Sequence, residues 1–329
     1  MDPKVQILWL SDIHYKNQYG SIESKDLDAF LDDFLHYVDK LEPETFDYLL
    51  LSGDIAQEGS KEDYEQFKKD VLTPLQEKLS GAKLLIIPGN HDVSRPAAEF
   101  KVEFIANIAK KTSRLNFFGT SIPKFEKLFE HYTNAFHGNS KLPSLSSATY
   151  RKNLLYGHVH DIEKKIIFIM LNTSWYSIGE DFLKLYLTDF LKDYQKKLKR
   201  MKSSALKNNL RKATVEKITR EIESISDEYG KQLIGLEKLK DIDEILGLIE
   251  DYSDHIIITI MHHPLNWLDW DERVTSSDKF HKIRELTDLL LTGHEHVPML
   301  HSSDEIRNIR HIPAGCFMNA AKKDKPYIV

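Results

Sequence analysis

Short apolar runs alternate along the chain with stretches whose apolar residues recur at helical spacing. The runs at 5–10, 48–52, 83–88, 166–172, 255–261, 288–292 and 309–314 are rich in Ile and Leu. They predict strands buried on both faces, as in a mainly parallel sheet covered by helices. Between the first two, Leu27, Phe30, Leu31, Phe34, Val38 and Leu41 mark one face of a helix. After the second, Ser60 and Asp63 are spaced as a capping box. The helix they open would bury Tyr64, Phe67, Val71, Leu75 and Leu79, with Pro74 bending it. This alternation defines an α/β fold.

Two regions depart from the pattern. Residues 97–155 mix aromatics with Ser and Thr without a clean period, and are expected to form an irregular, cap-like helical excursion over one end of the sheet. From 187 to 205, apolar residues at Leu187, Leu191, Tyr194, Leu198, Met201 and Ala205 follow heptad spacing, resumed at Val215, Ile218, Ile222, Ile225 and Tyr229. This predicts an inserted helical hairpin over about 183–232.

Charge sharpens the picture of that insertion. The stretch 192–220 carries eleven Lys and Arg against Asp193 and Glu216, a local net of +9. With −6 for the whole chain, everything outside it carries −15. Such a segment is either a solvated lysine-rich face or an arm for a polyanion or a protein partner. Overall, 41% hydrophobic and 29% charged residues in a chain of 329 exclude a disordered or fibrous polypeptide. No run approaches the roughly 20 apolar residues of a membrane span, and 5–10 is too short for a signal-peptide core. A single cysteine, Cys316, cannot form an internal disulfide, so a cytoplasmic location is expected.

The chemistry gathers at the strand ends. The first run leads into Asp12-Ile13-His14, the second into Gly53-Asp54, and the third into Gly89-Asn90-His91-Asp92. The fifth ends in His262-His263-Pro264 and the sixth in Gly293-His294-Glu295-His296. Side chains at the carboxyl ends of strands converge on one edge of an α/β sheet, where such folds place their sites. Asp12, His14, Asp54, Asn90, His262, His294 and His296 together offer oxygen and nitrogen donors and no thiolate. That set suits Mn²⁺, Fe, Zn²⁺ or Ni²⁺ rather than a cysteine-built structural zinc site. Seven donors exceed one tetrahedral ion and match two ions sharing a bridging carboxylate. Glycines beside Asp54, Asn90 and His294 let the ligands crowd together.

The order Asp-x-His, Gly-Asn-His-Asp and Gly-His-x-His, with Gly-Asp and the isolated His between them, resembles the calcineurin-like metallophosphoesterases, over residues 12–296. The resemblance implies a four-layer fold, a two-sheet β-sandwich flanked by helices with its site at the strand ends, in a single domain over 1–329. It implies one divalent ion, manganese favoured, on Asp12, His14, Asp54 and His296, and another on Asp54, Asn90, His262 and His294, with Asp54 bridging. A bridging hydroxide would attack phosphorus, His91 would serve the leaving oxygen, and Asp92 would orient His91. His263 is then expected to line the pocket without binding metal.

A second Gly-His-x-His, Gly157-His158-Val159-His160, precedes the 166–172 run instead of following His262. It is expected to be a hairpin element with surface or rim histidines. Trp267 and Trp270 either stack a nucleobase at the mouth of the site or, as aromatics in such loops more commonly do, pack their loop onto the core. Tyr15 and Arg95 stand near enough in sequence to touch phosphate oxygens. Protein phosphatases of this superfamily usually carry Glu where Asp92 stands and Gly where Tyr15 stands, so the resemblance favours a phosphodiesterase acting on a nucleotide or nucleic acid. A phosphomonoesterase or protein phosphatase is the alternative, as is an effector or regulatory domain of a larger protein. The segment 326–329 reads as the opening of another strand, which would fit such a larger chain.

Overall fold

The structure is a computed structural model. It describes residues 5–16, 24–40, 45–94, 114–143, 148–177, 232–239, 241–269, 272–273, 278–296, 302–303 and 310–315. Strands β1 (Ile7–Leu10), β2 (Tyr48–Ser52) and β3 (Lys83–Ile87) form a parallel three-stranded sheet in that order. Helix α1 (Ser24–Val38) connects the first two and buries Leu31, Phe34 and Val38. The next connection is α2 (Lys61–Phe67), a wide π-helical turn at Lys68–Leu72, and α3 (Thr73–Lys78). Ser60 caps α2 by accepting the Asp63 amide at 3.1 Å, and Tyr64, Phe67, Val71, Leu75 and Leu79 are buried as their spacing predicts. Pro74 lacks the N–H that Asp70 would need in an unbroken α-helix, so the ladder shifts by one residue and Thr73 bonds back to Lys68.

The second sheet has six strands: β4 (Tyr156–Asp161), β5 (Ile166–Leu171), β6 (Ile256–Met261), β7 (Leu289–Thr292), β8 (Ser302–Ser303) and β9 (Arg310–Pro313). Their order is β4-β5-β6-β7-β9-β8, with β5, β6, β7 and β9 parallel and the two outer strands antiparallel. The sheets meet through Tyr48 of β2, whose ring lies 4.7 Å from that of Phe168 on β5. One hydrophobic core contains residues of both sheets and of the helices around them. The fold is therefore α/β, two sheets flanked by helices.

The described parts of 97–155 are helical: α4 (Arg114–Glu126), a tight turn at Lys127–Phe129, α5 (Glu130–Phe136) and α6 (Ala148–Asn153). Phe117, Phe118, Phe125, Phe129, Tyr132, Phe136 and Tyr150 are buried in the common core. Each break between helices resets the phase of the buried face, which hides the period in the sequence. Helices α7 (Ile242–Asp251) and α8 (Asp278–Leu286) precede β6 and β7. The expected hairpin lies outside the described residues apart from Gln232, and Arg95, Trp270, Cys316 and 326–329 lie outside them entirely. Among the described residues, no helix is long and apolar enough to cross a membrane.

Candidate metal centre

The seven predicted donors come together at one end of the two sheets. The chain beyond β1 runs beside the chain beyond β2, with the His14 amide on the Asp54 carbonyl at 2.8 Å and that of Tyr15 on Ile55 at 2.8 Å. The end of β7 reaches across to β1, where the His294 amide donates to both Asp12 carboxylate oxygens at 3.0 and 3.1 Å. Among the described residues, seven other than glycine have positive φ, and five of them are Asp12, His14, Asp54, His294 and His296. Left-handed backbone is unfavourable for these side chains and persists only where the surroundings enforce it. Gly89 is required by closeness: a Cβ there would collide with the Asp54 carboxylate and amide.

The donor atoms form two sets. In the first, His296 Nε2 lies 3.2 Å from Asp12 Oδ1 and 3.1 Å from His14 Nε2, which is 3.7 Å from Asp54 Oδ2. In the second, Asn90 Oδ1 lies 2.9 Å from His262 Nε2 and 3.0 Å from His294 Nδ1, and His262 Nε2 lies 3.3 Å from Asp54 Oδ2. Donors held about 2.1 Å from one ion stand about 3.0–3.4 Å apart in octahedral or tetrahedral arrangements; the His14–Asp54 separation is wider, and the others lie close to that spacing. Asp54 Oδ2 belongs to both sets. His262 Nδ1 faces the Ser52 carbonyl at 3.0 Å, which can only accept, so Nδ1 carries the hydrogen. Nε2 is thereby left facing the second set, and once its own proton is released it would offer a metal ion the nitrogen that such histidines use.

Electrostatics agree with a cation-binding pocket. Burial opposes charge on Asp54, but His262, His91 and His14 hold its carboxyl well below the usual range. Burial likewise opposes charge on Asp12, and His296 and His262 keep its carboxyl low. His14 is pushed down to about 4 by burial against the pull of Asp54. His294 falls to about 4 through burial and then the nearby His262. For His262, burial is outweighed by Asp54, Asp12 and the Ser52 carbonyl, which raise it to about 9. His296 is raised by its hydrogen bond to Asp12. The two carboxylates and the imidazoles of His14 and His294 are thus in the protonation states that a divalent ion requires, whereas His262 would have to release a proton to bind one.

His91 stands beside this cluster, its ring centroid 4.6 Å from that of His14. Its amide donates to Asp54 Oδ1 at 2.8 Å and its Nδ1 to the Gln57 carbonyl at 2.8 Å. The expectation that Asp92 orients the His91 ring is corrected here. The Asp92 carboxylate accepts from the amides of Ile55, Ala56 and Gly89 and from the Tyr64 hydroxyl, so it pins the loop that carries His91. Burial, followed by the Asp54 charge, raises Asp92 to about 6.

Tyr15 is also corrected: it is 1% exposed and its hydroxyl is committed to Asp70, so it is not presented to a phosphate. His263 is fully buried, with Nδ1 on Thr173 at 2.8 Å, and it groups with His262 and His294. Trp267 packs edge-on against His294, centroids 4.1 Å apart. Nothing in the sequence marked Gln57 or Thr173, whose roles rest on a backbone carbonyl and on a fold contact.

The second Gly-His-x-His lies on β4, antiparallel to β5 as a hairpin. Its histidines are not at the surface: His158 is 7% and His160 8% exposed, and His160 packs on Tyr252 with centroids 4.4 Å apart.

The model of the calcineurin-like phosphoesterase family matches residues 5–200. An uncharacterized metallophosphoesterase-like protein, YydB of Bacillus subtilis (strain 168), is 35% identical over 96 residues, covering 28% of this chain and 18% of that protein. The chain thus spans less than a fifth of the length of that relative. A dimetal phosphatase of Danio rerio, known from its crystal structure, superposes with a TM-score of 0.45 at 12% identity, covering 95% of this chain and 88% of the other. With its family model matched from β1 onward and the donors of that motif order gathered into two sets, the chain belongs to the calcineurin-like phosphoesterase family.

Proposed function

We propose that this protein is a phosphodiesterase that hydrolyses a nucleotide or nucleic-acid phosphodiester with two divalent ions. The observation that carries the reading is the position of Asp54, whose Oδ2 is shared by both donor sets. Asp12, His14, Asp54 and His296 would hold one ion, and Asp54, Asn90, His262 and His294 the other. Manganese is favoured, with iron, zinc or nickel also suited to these donors. When bound, such a pair supplies Lewis acidity at phosphorus and a nucleophile drawn from water.

The remaining work falls to the chain itself. Asp12 and Asp54 bring the negative charge that concentrates the ions, and Asn90 adds a neutral oxygen. His91 donates Nδ1–H to Gln57, so Nε2 is left to exchange a proton with the leaving oxygen. Asp92 keeps the Gly89–His91 turn in place through three amides. Asp92 itself and Tyr15, at the positions where protein phosphatases usually carry Glu and Gly, favour the diester.

The basic stretch 192–220 would recruit a polyanionic substrate. Its roots support this: Ser177 Oγ donates to Gln232 Oε1 at 3.3 Å, and the Gln232 amide bonds to the carbonyl of Trp267, the residue packed on His294. The chain therefore leaves and re-enters the described fold beside the centre. Replacing several of these lysines by Glu should reduce hydrolysis of long nucleic acids more than that of a small chromogenic diester; equal losses would reject recruitment.

The test of the main reading is a panel on metal-loaded protein. It compares bis-p-nitrophenyl phosphate, p-nitrophenyl phosphate, cyclic mononucleotides, single- and double-stranded DNA, and RNA, with His91→Ala as control. Diester turnover above monoester turnover, lost in the control, supports it. Preferred monoester turnover rejects the diesterase assignment.

A further inference from the structure

The π-helical turn between α2 and α3 has a consequence that reaches the candidate active site. One extra residue rotates a helix by about 100°, and the turn at Lys68–Leu72 carries Asp70. There Asp70 accepts the Tyr15 hydroxyl at 2.5 Å, while the Gln66 amide nitrogen bonds both of its carboxylate oxygens at 2.9 and 2.8 Å. Tyr15 is the residue after His14. Its ring is buried against Phe67, centroids 5.9 Å apart.

From Tyr15 the connection continues through the main chain. Its amide donates to the Ile55 carbonyl at 2.8 Å, and its own carbonyl accepts the Gln57 amide at 2.8 Å. These bonds make a short parallel pairing of Tyr15 with Ala56, beyond the ends of β1 and β2. The next carbonyl in that strap, Gln57, receives Nδ1–H of His91 at 2.8 Å. A hydrogen-bonded line therefore runs from Asp70 through Tyr15 and Gln57 to the His91 ring.

We propose that Tyr15 and Asp70 are positioning residues for His91: they hold the strap whose Gln57 carbonyl keeps a hydrogen on Nδ1 and so aims Nε2 at the leaving group. In the imidazolium form Nε2 carries a second proton, which it passes to the leaving oxygen. This rests on the reading of His91 as the proton donor. Neither residue touches substrate. The charge-assisted hydroxyl–carboxylate bond is the strong anchor of the line, and a displacement well below 1 Å at the far end is enough to impair a proton transfer.

The test is Tyr15→Phe, which removes one hydroxyl and keeps the buried ring. Two diesters are compared: bis-p-nitrophenyl phosphate, whose leaving group needs little protonation, and a dinucleoside monophosphate, whose leaving group is an alkoxide. Turnover of the dinucleoside monophosphate should fall about tenfold, within the range of small misplacements, and that of the nitrophenyl ester several-fold less. In a His91→Ala background the same substitution should add nothing. The imidazole ¹⁵N spectrum of the metal-free protein should show His91 protonated at Nδ1 in wild type and a mixture of tautomers in Tyr15→Phe. Equal losses on both esters, additive losses with His91→Ala, or an unchanged ¹⁵N spectrum would overturn the proposal. If His91→Ala itself shows no dependence on the leaving group, the reading of His91 as proton donor fails, while the ¹⁵N spectrum still decides whether Tyr15 sets its tautomer.

Discussion

The Oδ2 oxygen of Asp54 lies 3.3 Å from Nε2 of His262, and the two side chains are 1% and 0% exposed. A carboxylate so buried needs a compensating charge. In the metal-free protein, His262 supplies it.

Because Asp54 also faces His14, Asp54→Asn should weaken both metal positions, whereas His296→Ala should weaken one. Elemental analysis after dialysis should find fewer than one ion per chain for Asp54→Asn and about one for His296→Ala. Diester turnover of Asp54→Asn should fall by at least about 10³-fold, the upper range for loss of one electrostatic stabiliser. Two retained ions in Asp54→Asn would exclude a bridging role.

At the opposite end of β4, Asp161 accepts from the Tyr48 hydroxyl, from Lys83 Nζ at 2.7 Å and from the Lys164 amide at 3.1 Å. Tyr48 and Lys83 belong to the first sheet and Asp161 to the second, so this is a polar clamp between them. Tyr48→Phe removes one bond and leaves the ion pair. It should cost about 1–2 kcal/mol of stability, read as a lower denaturant midpoint with an unchanged slope.

His158 is pushed down to about 4 by burial and then by neighbouring His160. The unfolded chain takes up this proton near the ordinary 6.5, so between 6.5 and about 4 it binds more protons than the fold does. The His158 contribution to stability should therefore be lost as pH drops through that window and be fully present above it. His14 and His294, both pushed down to about 4, act in the same sense. Asp92, raised to about 6, acts in the opposite sense, and His262, raised to about 9, loses its contribution as pH rises towards 9. His158→Phe should reduce the slope by up to one proton's worth and leave the metal stoichiometry unchanged, as should His160→Ala. Loss of an ion in either variant would place the second Gly-His-x-His at the metal centre.

The site was legible because its chemistry sits in dense local signals: short motifs, each directly after an apolar run, with glycines where the chains crowd. The same logic located β1, β2, β3, β5, β6, β7 and β9. It did not reveal that His158 and His160 are buried, because alternating polar residues on an outer strand look solvent-facing until Tyr252 and its neighbours cover them. Nor did it assign Asp92 correctly. Its partners are backbone amides from Ile55, Ala56 and Gly89, which no side-chain pattern encodes. The two-residue β8 is too short to leave a period. Pro74 announced a bend, but that the bend turns Asp70 toward Tyr15 follows only from tertiary packing.

The central claim is tested most directly by anomalous scattering from crystals soaked in manganese. Two peaks about 3.5–4 Å apart, one beside Asp12, His14 and His296 and one beside Asn90, His262 and His294, with Asp54 between them, are predicted. No peak at this cluster, or a single one that Asp54 does not touch, would contradict it.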